Sequence, residues 1–349
     1  MPQMDGFNLI TRAEIDSYIY KRPGETKLGE TVSVLDGSDW QFELRESSAQ
    51  FVLIGIPEDI GVRANFGLGG AQHLWKPVLK SLLNVQETEI LQGSKLAVLG
   101  AFGFEQLMHE AEGASVEKLR ELVSRVDDLV YPVIQSISAC GKIPLVIGGG
   151  HNNAYPIIKG LSRSIKQQIN CLNLDAHSDY RAIEGRHSGN GFRYAKMDGY
   201  LNKYAVIGLH QSYNSQSVLN ELASDKDIRY SFYEDLFLSG QLEFQSAIDD
   251  ALRFASGART GIEIDLDCIE NALSSAASPC GITPLQARKF IISCARFAEV
   301  AYLHITEGTV KLADGRENVL TAKLVAYIIT DFIRSATNKL PVFIKESEL

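Results

Sequence analysis

Continuous apolar runs recur along this chain, each closed by glycine, proline or a polar cluster. Phe51-Val52-Leu53-Ile54-Gly55-Ile56-Pro57 is one, and similar runs follow at Lys95–Gly100, Ile143–Ile147, Cys171–Leu174, Tyr204–Leu209, Gly261–Leu266 and Glu299–Ile305. A run that is apolar at successive positions suits a strand buried on both faces. Between the runs lie segments with helical spacing. Ser115–Ala139 carries Leu119, Leu122, Val123, Val126, Leu129 and Val130 about one turn apart. Phe244–Ala255 and Thr283–Phe297 follow the same pattern, and Leu320–Ala336 is strongly amphipathic. Strands alternating with helices predict a mostly parallel sheet covered on both faces.

Residues 1–48 are polar, with turn formers such as Arg22-Pro23-Gly24. They are expected to form an N-terminal extension that packs on the body. With no repeat, low-complexity tract or Pro/Ser-rich linker beyond them, residues 49–349 are expected to form a single domain. The composition is that of a globular protein: 45% hydrophobic and 22% charged over 349 residues. A formal charge of −9 argues against a general nucleic-acid surface. Five scattered cysteines without a CxxC pair suit buried, reduced thiols. No run approaches the roughly 18 apolar residues that span a bilayer, and no signal pattern opens the chain. A cytoplasmic protein with no membrane partner is expected.

In open parallel sheets, sites form at the carboxyl ends of strands, and polar clusters fall there. Gly148-Gly149-Gly150-His151 follows one run, Asp175-Ala176-His177-Ser178-Asp179 another, Asp265-Leu266-Asp267 closes a third, and Thr306-Glu307-Gly308 follows a fourth. On an extended chain, Asp175, His177 and Asp179 would project to one side. Carboxylates and imidazoles gathered beside apolar runs need a counter-charge. The candidate ligands are His151, Asp175, His177, Asp179, Asp265 and Asp267. Four carboxylates, two imidazoles and no thiolate suit Mn²⁺ or a similar ion better than a structural zinc site. Four carboxylate charges match two divalent ions, which would hold and acidify a water for hydrolysis.

These motifs resemble the ureohydrolase superfamily, which includes arginase, agmatinase and formimidoylglutamase. The resemblance runs from about Phe51 to Ala336 and takes in Gly55-Ile56-Pro57 and Gly67-Leu68-Gly69-Gly70-Ala71. It implies a three-layer α/β/α sandwich with a mostly parallel sheet, two Mn²⁺ ions, and hydrolysis of an amidine or guanidine carbon–nitrogen bond. By position, His151, Asp175, Asp179 and Asp265 would hold one ion. Asp175, His177, Asp265 and Asp267 would hold the other, with Asp175 and Asp265 bridging. Glu307 would orient the substrate's cationic nitrogen group. Three positions depart from the family pattern. Gly150 stands where Asp is common, Glu263 stands where Ser is common before Asp-x-Asp, and Ser188-Gly189-Asn190 lacks the His that follows in arginase-like members. His187, just before that triplet, is a candidate proton shuttle.

Asp179-Tyr180-Arg181, the loop Ser188–Arg193, and Gly61-Val62-Arg63-Ala64-Asn65 are closest to formimidoylglutamase-like members. That likeness implies hydrolysis of formimidoylglutamate to glutamate and formamide, a step of histidine breakdown. A substrate with two carboxylates needs cationic partners. Arg63, Arg181, Arg186 and Arg193 are expected near the metal edge, with Arg181, Arg193, Asn190 and Ser188 as the substrate-binding set. A guanidino substrate such as guanidinobutyrate, agmatine or arginine is the alternative within the superfamily. A non-catalytic metal-binding or scaffold member is the alternative of another class. The resemblance also implies a homo-oligomer.

Overall fold

A computed structural model describes residues 6–35 and 39–337. The expected body thus extends past them, and its final residues, 338–349, lie outside the described part. Ten strands form one sheet: β1 (Phe7–Leu9), β2 (Ser33–Val34), β3 (Phe51–Gly55), β4 (Leu96–Phe102), β5 (Ile143–Ile147), β6 (Ile169–Leu174), β7 (Leu201–Leu209), β8 (Ile228–Phe232), β9 (Thr260–Asp265) and β10 (Val300–Thr306). Their order is β1-β4-β3-β5-β10-β9-β6-β7-β8, with β2 beside β4. Every pairing is parallel except β1 with β4. The seven apolar runs correspond to β3, β4, β5, β6, β7, β9 and β10.

Side chains leave alternate faces of each strand into two separate cores. Leu53, Leu145, Ile147, Ile262, Ile264, Leu303 and Ile305 enter one, beneath helices Trp75–Leu83, Pro284–Phe297 and Leu320–Thr337. Val52, Ile54, Val146 and Tyr302 enter the other, beneath helices Val116–Ala139 and Ala154–Ile165. These last two helices pack closely because Gly160 carries no side chain; a Cβ there would fall 2.6 Å from the Tyr131 carbonyl oxygen. The three layers are those of the expected sandwich.

The polar N-terminal segment is tied into the body. Phe7 pairs with Phe102 across β1 and β4, and Ile15, Leu28 and Leu44 are fully buried. Among the described residues, no helix is long and apolar enough to cross a membrane.

Two features of the register position the site. β5, β10, β9 and β6 are consecutive neighbours, so the four polar clusters emerge side by side at one carboxyl edge. Just below that edge, Asn173, Glu263 and His304 stand level across β6, β9 and β10. All three are fully buried on the side of the second core.

Candidate metal centre

Asp175 follows the last residue of β6, and there the strand alternation ends. The Asp175 Oδ1 accepts the His177 N–H at 2.7 Å, turning the chain sharply, and Asp179 adopts a left-handed φ of 45°. β9 ends the same way: Asp265 Oδ1 accepts the Asp267 N–H at 2.8 Å. Each aspartate therefore braces its own turn with one oxygen and directs Oδ2 inward. The expectation that Asp175, His177 and Asp179 project together from an extended strand is corrected. A turn sends His177 and Asp179 into different groups that share Asp175.

Those groups are His151, Asp175, Asp179 and Asp265, and Asp175, His177 and Asp267. In the first, His151 Nδ1 lies 2.7 Å from Asp179 Oδ2 and 3.2 Å from both Asp175 Oδ2 and Asp265 Oδ2. In the second, His177 Nδ1 lies 3.0 Å from Asp267 Oδ2. Asp175 is common to both groups, whereas Asp265 falls in the first alone, so its expected bridging is not part of this grouping. His151 Nδ1 and Asp267 Oδ1 are buried without a hydrogen-bond partner. Orphaned lone pairs converging among carboxylates fit a cation. A third set, His151, Glu263 and His304, lies directly beneath.

The charges are tightly packed. Burial, then the negative neighbours Asp267 and Asp175, drives Asp265 well above the usual carboxylate range. Burial and Asp175 push Asp179 up to about 6. Burial works to raise Asp175, yet the adjoining imidazoles of His151 and His177 hold it at about 2. Burial works to lower both imidazoles, yet their acidic neighbours raise each well above its ordinary value.

Glu307 follows β10 with a left-handed φ of 60°. Its Oε1 accepts the His151 backbone N–H at 2.9 Å, leaving Oε2 for another partner. Burial raises its carboxyl to about 8. Phe66, Asp179 and Glu307, all left-handed and none of them glycine, line one cleft of about 250 Å³ over the ligands. Backbone strain of this kind collects at functional sites. Asn65, Arg181, Ser188, Tyr213, Asn214 and Ser275 line the cleft as well. A larger cleft, about 840 Å³, opens beside β1 and β4 around Trp75, Phe102 and Phe104. It contains none of the ligand groups, so chemistry rather than size identifies the smaller one.

Several expected substrate contacts lie elsewhere. Arg193 does not line the cleft; it pairs with Glu221 and lies over the Tyr180 ring. Arg186 is buried against Asp127 at 2.9 Å and donates to the Asn152 carbonyl. Arg63 is committed to Asp59. Asn190 turns into its own loop, accepting from Arg186 and donating to the Gly185 carbonyl. His187 is fully buried, with Nδ1 accepting the Gly189 N–H and Nε2 beside Glu184. Burial, with Arg181 and Arg120 nearby, lowers it to about 4. It does not line the cleft. Ser188 and Arg181 do line it.

Sequence reasoning missed Asn65, Tyr213, Asn214 and Ser275 as lining residues. It also missed Glu58, a fully buried carboxylate whose Oε1 takes the Gly150 N–H and the Asn153 amide. Glu58 thereby clamps the loop that delivers His151. The run Tyr204–Leu209 was a usable signal for Tyr213 and Asn214, which follow its carboxyl end.

The fold and this cluster define a mostly parallel α/β protein with a group of carboxylates and histidines suited to metal ions at the edge of its sheet. The chain belongs to the arginase family, whose model matches residues 49–333. Formimidoylglutamase of Macrococcus caseolyticus is 30% identical over 241 residues, covering 67% of this chain and 74% of that protein. The Streptococcus pyogenes formimidoylglutamase is 28% identical over 270 residues, 75% of each chain. Among solved structures, formimidoylglutamase from Bacillus subtilis superposes with a TM-score of 0.73 at 17% identity, covering 92% of this chain and 94% of that one. Formiminoglutamase of Trypanosoma cruzi, solved with Mn²⁺, gives 0.70 at 19% identity, covering 90% and 100%.

Arg186 is a buried structural cation in this arrangement. Arg186→Met leaves Asp127 buried without its partner and is expected to cost about 3–5 kcal/mol of stability, read by urea unfolding. A loss below about 1 kcal/mol would show that the pair does not support the fold.

Proposed function

We propose that this chain is a hydrolase that cleaves the carbon–nitrogen bond of a linear amidine, formimidoylglutamate, releasing glutamate and formamide. One observation carries the reading: two ligand groups joined through Asp175 floor a cleft walled by Glu307 and Arg181. The names of the relatives support the substrate. Its place in histidine breakdown follows from that substrate. Free cysteines, four of them buried, support a reducing compartment such as the cytoplasm.

His151, Asp175, Asp179 and Asp265 would hold one Mn²⁺, and Asp175, His177 and Asp267 a second. When bound, such a pair supplies an acidified water and a Lewis acid for the hydrolysis. The protein's own groups do the rest. Glu307 Oε2 takes the substrate's amidinium nitrogens in a charge-assisted bond. Arg181, held by Asn65 Oδ1 at 2.9 Å, offers its remaining donors to a carboxylate. The Asn65 amide and the hydroxyls of Ser188 and Ser275 can serve the other carboxylate.

One observation favours a second reading. Apart from His177, Arg181 is the one cationic side chain among the described residues lining the cleft. A guanidino acid with a single carboxylate, such as guanidinobutyrate, matches that charge. Rates on formimidoylglutamate, guanidinobutyrate, agmatine and arginine with Mn²⁺-loaded protein separate the two. The highest kcat/KM is expected on formimidoylglutamate; a higher value on any guanidino compound overturns the substrate.

Glu307→Gln keeps the shape of the side chain and removes its charge. Bound Mn²⁺ should stay at the wild-type level while turnover falls by about 10²-fold or more. Loss of an ion would make Glu307 a ligand. Arg181→Ala should lower kcat/KM by about 1.5–3 kcal/mol without changing Mn²⁺ content, whereas Arg193→Ala should change neither. Equal effects of the two substitutions would contradict the placement of Arg193 outside the cleft.

A further inference from the structure

Beneath the ligands lies a buried acid that the functional reading has not used. Glu263 is in the middle of β9, fully buried, at a register position shared with Asn173 of β6 and His304 of β10. A carboxylate this deep requires partners on both oxygens, and it has them. Tyr302 donates its hydroxyl to Oε1 at 2.6 Å, and His304 Nδ1 lies 2.6 Å from Oε2. His304 Nε2 lies 3.3 Å from the carbonyl of Gly148, at the start of the loop that delivers His151. Room for the Tyr302 ring comes from Gly261, where a Cβ would fall 2.1 Å from it.

Glu263 Oε2 also faces the ring of His151, 3.5 Å from Nε2, while Nδ1 points to Asp175, Asp179 and Asp265. A neutral imidazole that gives one nitrogen to a metal carries its hydrogen on the other, and the acceptor for that hydrogen fixes the ring. Gly150, immediately before His151, has no side chain to offer. We propose that Glu263, braced by Tyr302 and His304, is the positioning residue that takes the His151 Nε2 hydrogen and aims Nδ1 at the metal centre. This rests on the two-ion reading above. It makes His304 a brace for the acid.

The test reads metal binding, not turnover. Mn²⁺ is titrated by calorimetry into wild-type protein and Glu263→Gln, with urea unfolding of both metal-free proteins in parallel. One of the two ions should bind about 10–100-fold more weakly in the variant, with a much smaller change in the other. Metal-free stability should not account for the difference. Unchanged affinities overturn the proposal, as does weakening of both ions in step with a collapse of the metal-free fold. A third Mn²⁺ in the wild type, lost in the variant, would make His151, Glu263 and His304 a metal site and overturn it as well. If the variant does not fold, nitrogen-15 NMR of the histidines in Cd²⁺-loaded wild-type protein decides. His151 should show metal on Nδ1 and a slowly exchanging, strongly downfield hydrogen on Nε2. A freely exchanging hydrogen, or metal on Nε2, overturns the proposal. A wild type that binds no ion removes the two-ion reading itself, whereas two ions with an unchanged variant removes this role alone.

Discussion

Negative charge crowded into a dry space is the constraint on which this molecule depends. Asp175, Asp179, Asp265, Asp267 and Glu307 are each at most 9% exposed, yet they share one small volume with His151 and His177. Removing even one carboxylate from water costs several kcal/mol unless charge or hydrogen bonds offset it. Backbone amides offset part: Asp175 and Asp265 each take one from their own turn, and Glu307 takes that of His151. The rest faces inward, where cations would offset it. A site built for stability alone would have no use for such a cluster, so its survival in the interior points to chemistry.

The sheet makes this crowding possible. Only because β5, β10, β9 and β6 are neighbours do their loops meet above one edge. Rigidity below that edge sets the positions above it. Asn173 bonds Asp175 Oδ2 at 3.0 Å and also contacts the Tyr204 hydroxyl, Glu58 clamps the glycine loop, and Glu263 backs the His151 ring. Each support is a buried polar side chain tied by two or more hydrogen bonds. That is the condition under which a polar interior holds one geometry rather than several.

The sheet and the carboxylate–histidine cluster were legible in the sequence because both are written in short, chemically extreme runs. β5 reads as five residues without a charge, and the Asp-Ala-His-Ser-Asp stretch that follows β6 places three candidate ligands within five positions. Less extreme elements were hidden. β1 is three residues long with Asn8 at its centre, β8 is a half-exposed edge strand, and the helix Ala154–Ile165 is punctuated by Pro156 and Gly160. The substrate wall was the least legible. Arg186 and Arg193 read as free cations because their partners, Asp127 and Glu221, come from helices remote in sequence. Asn65 and Ser275 are neutral side chains, whose type announces nothing until the fold brings them to the same cleft as Arg181. Turn geometry was equally silent: the resemblance paired Asp179 with His151, but only the fold shows the turn at Asp175 and the left-handed Asp179 that bring them together.

The central claim is that this crowd of carboxylates is a binuclear metal centre. Crystals grown with Mn²⁺ and measured at the manganese absorption edge test it most directly. Two anomalous peaks are expected, one beside His151 Nδ1 and one beside His177 Nδ1, about 3.5–4 Å apart. A single peak, or a peak between Glu263 and His304 with none beside His177, would contradict it.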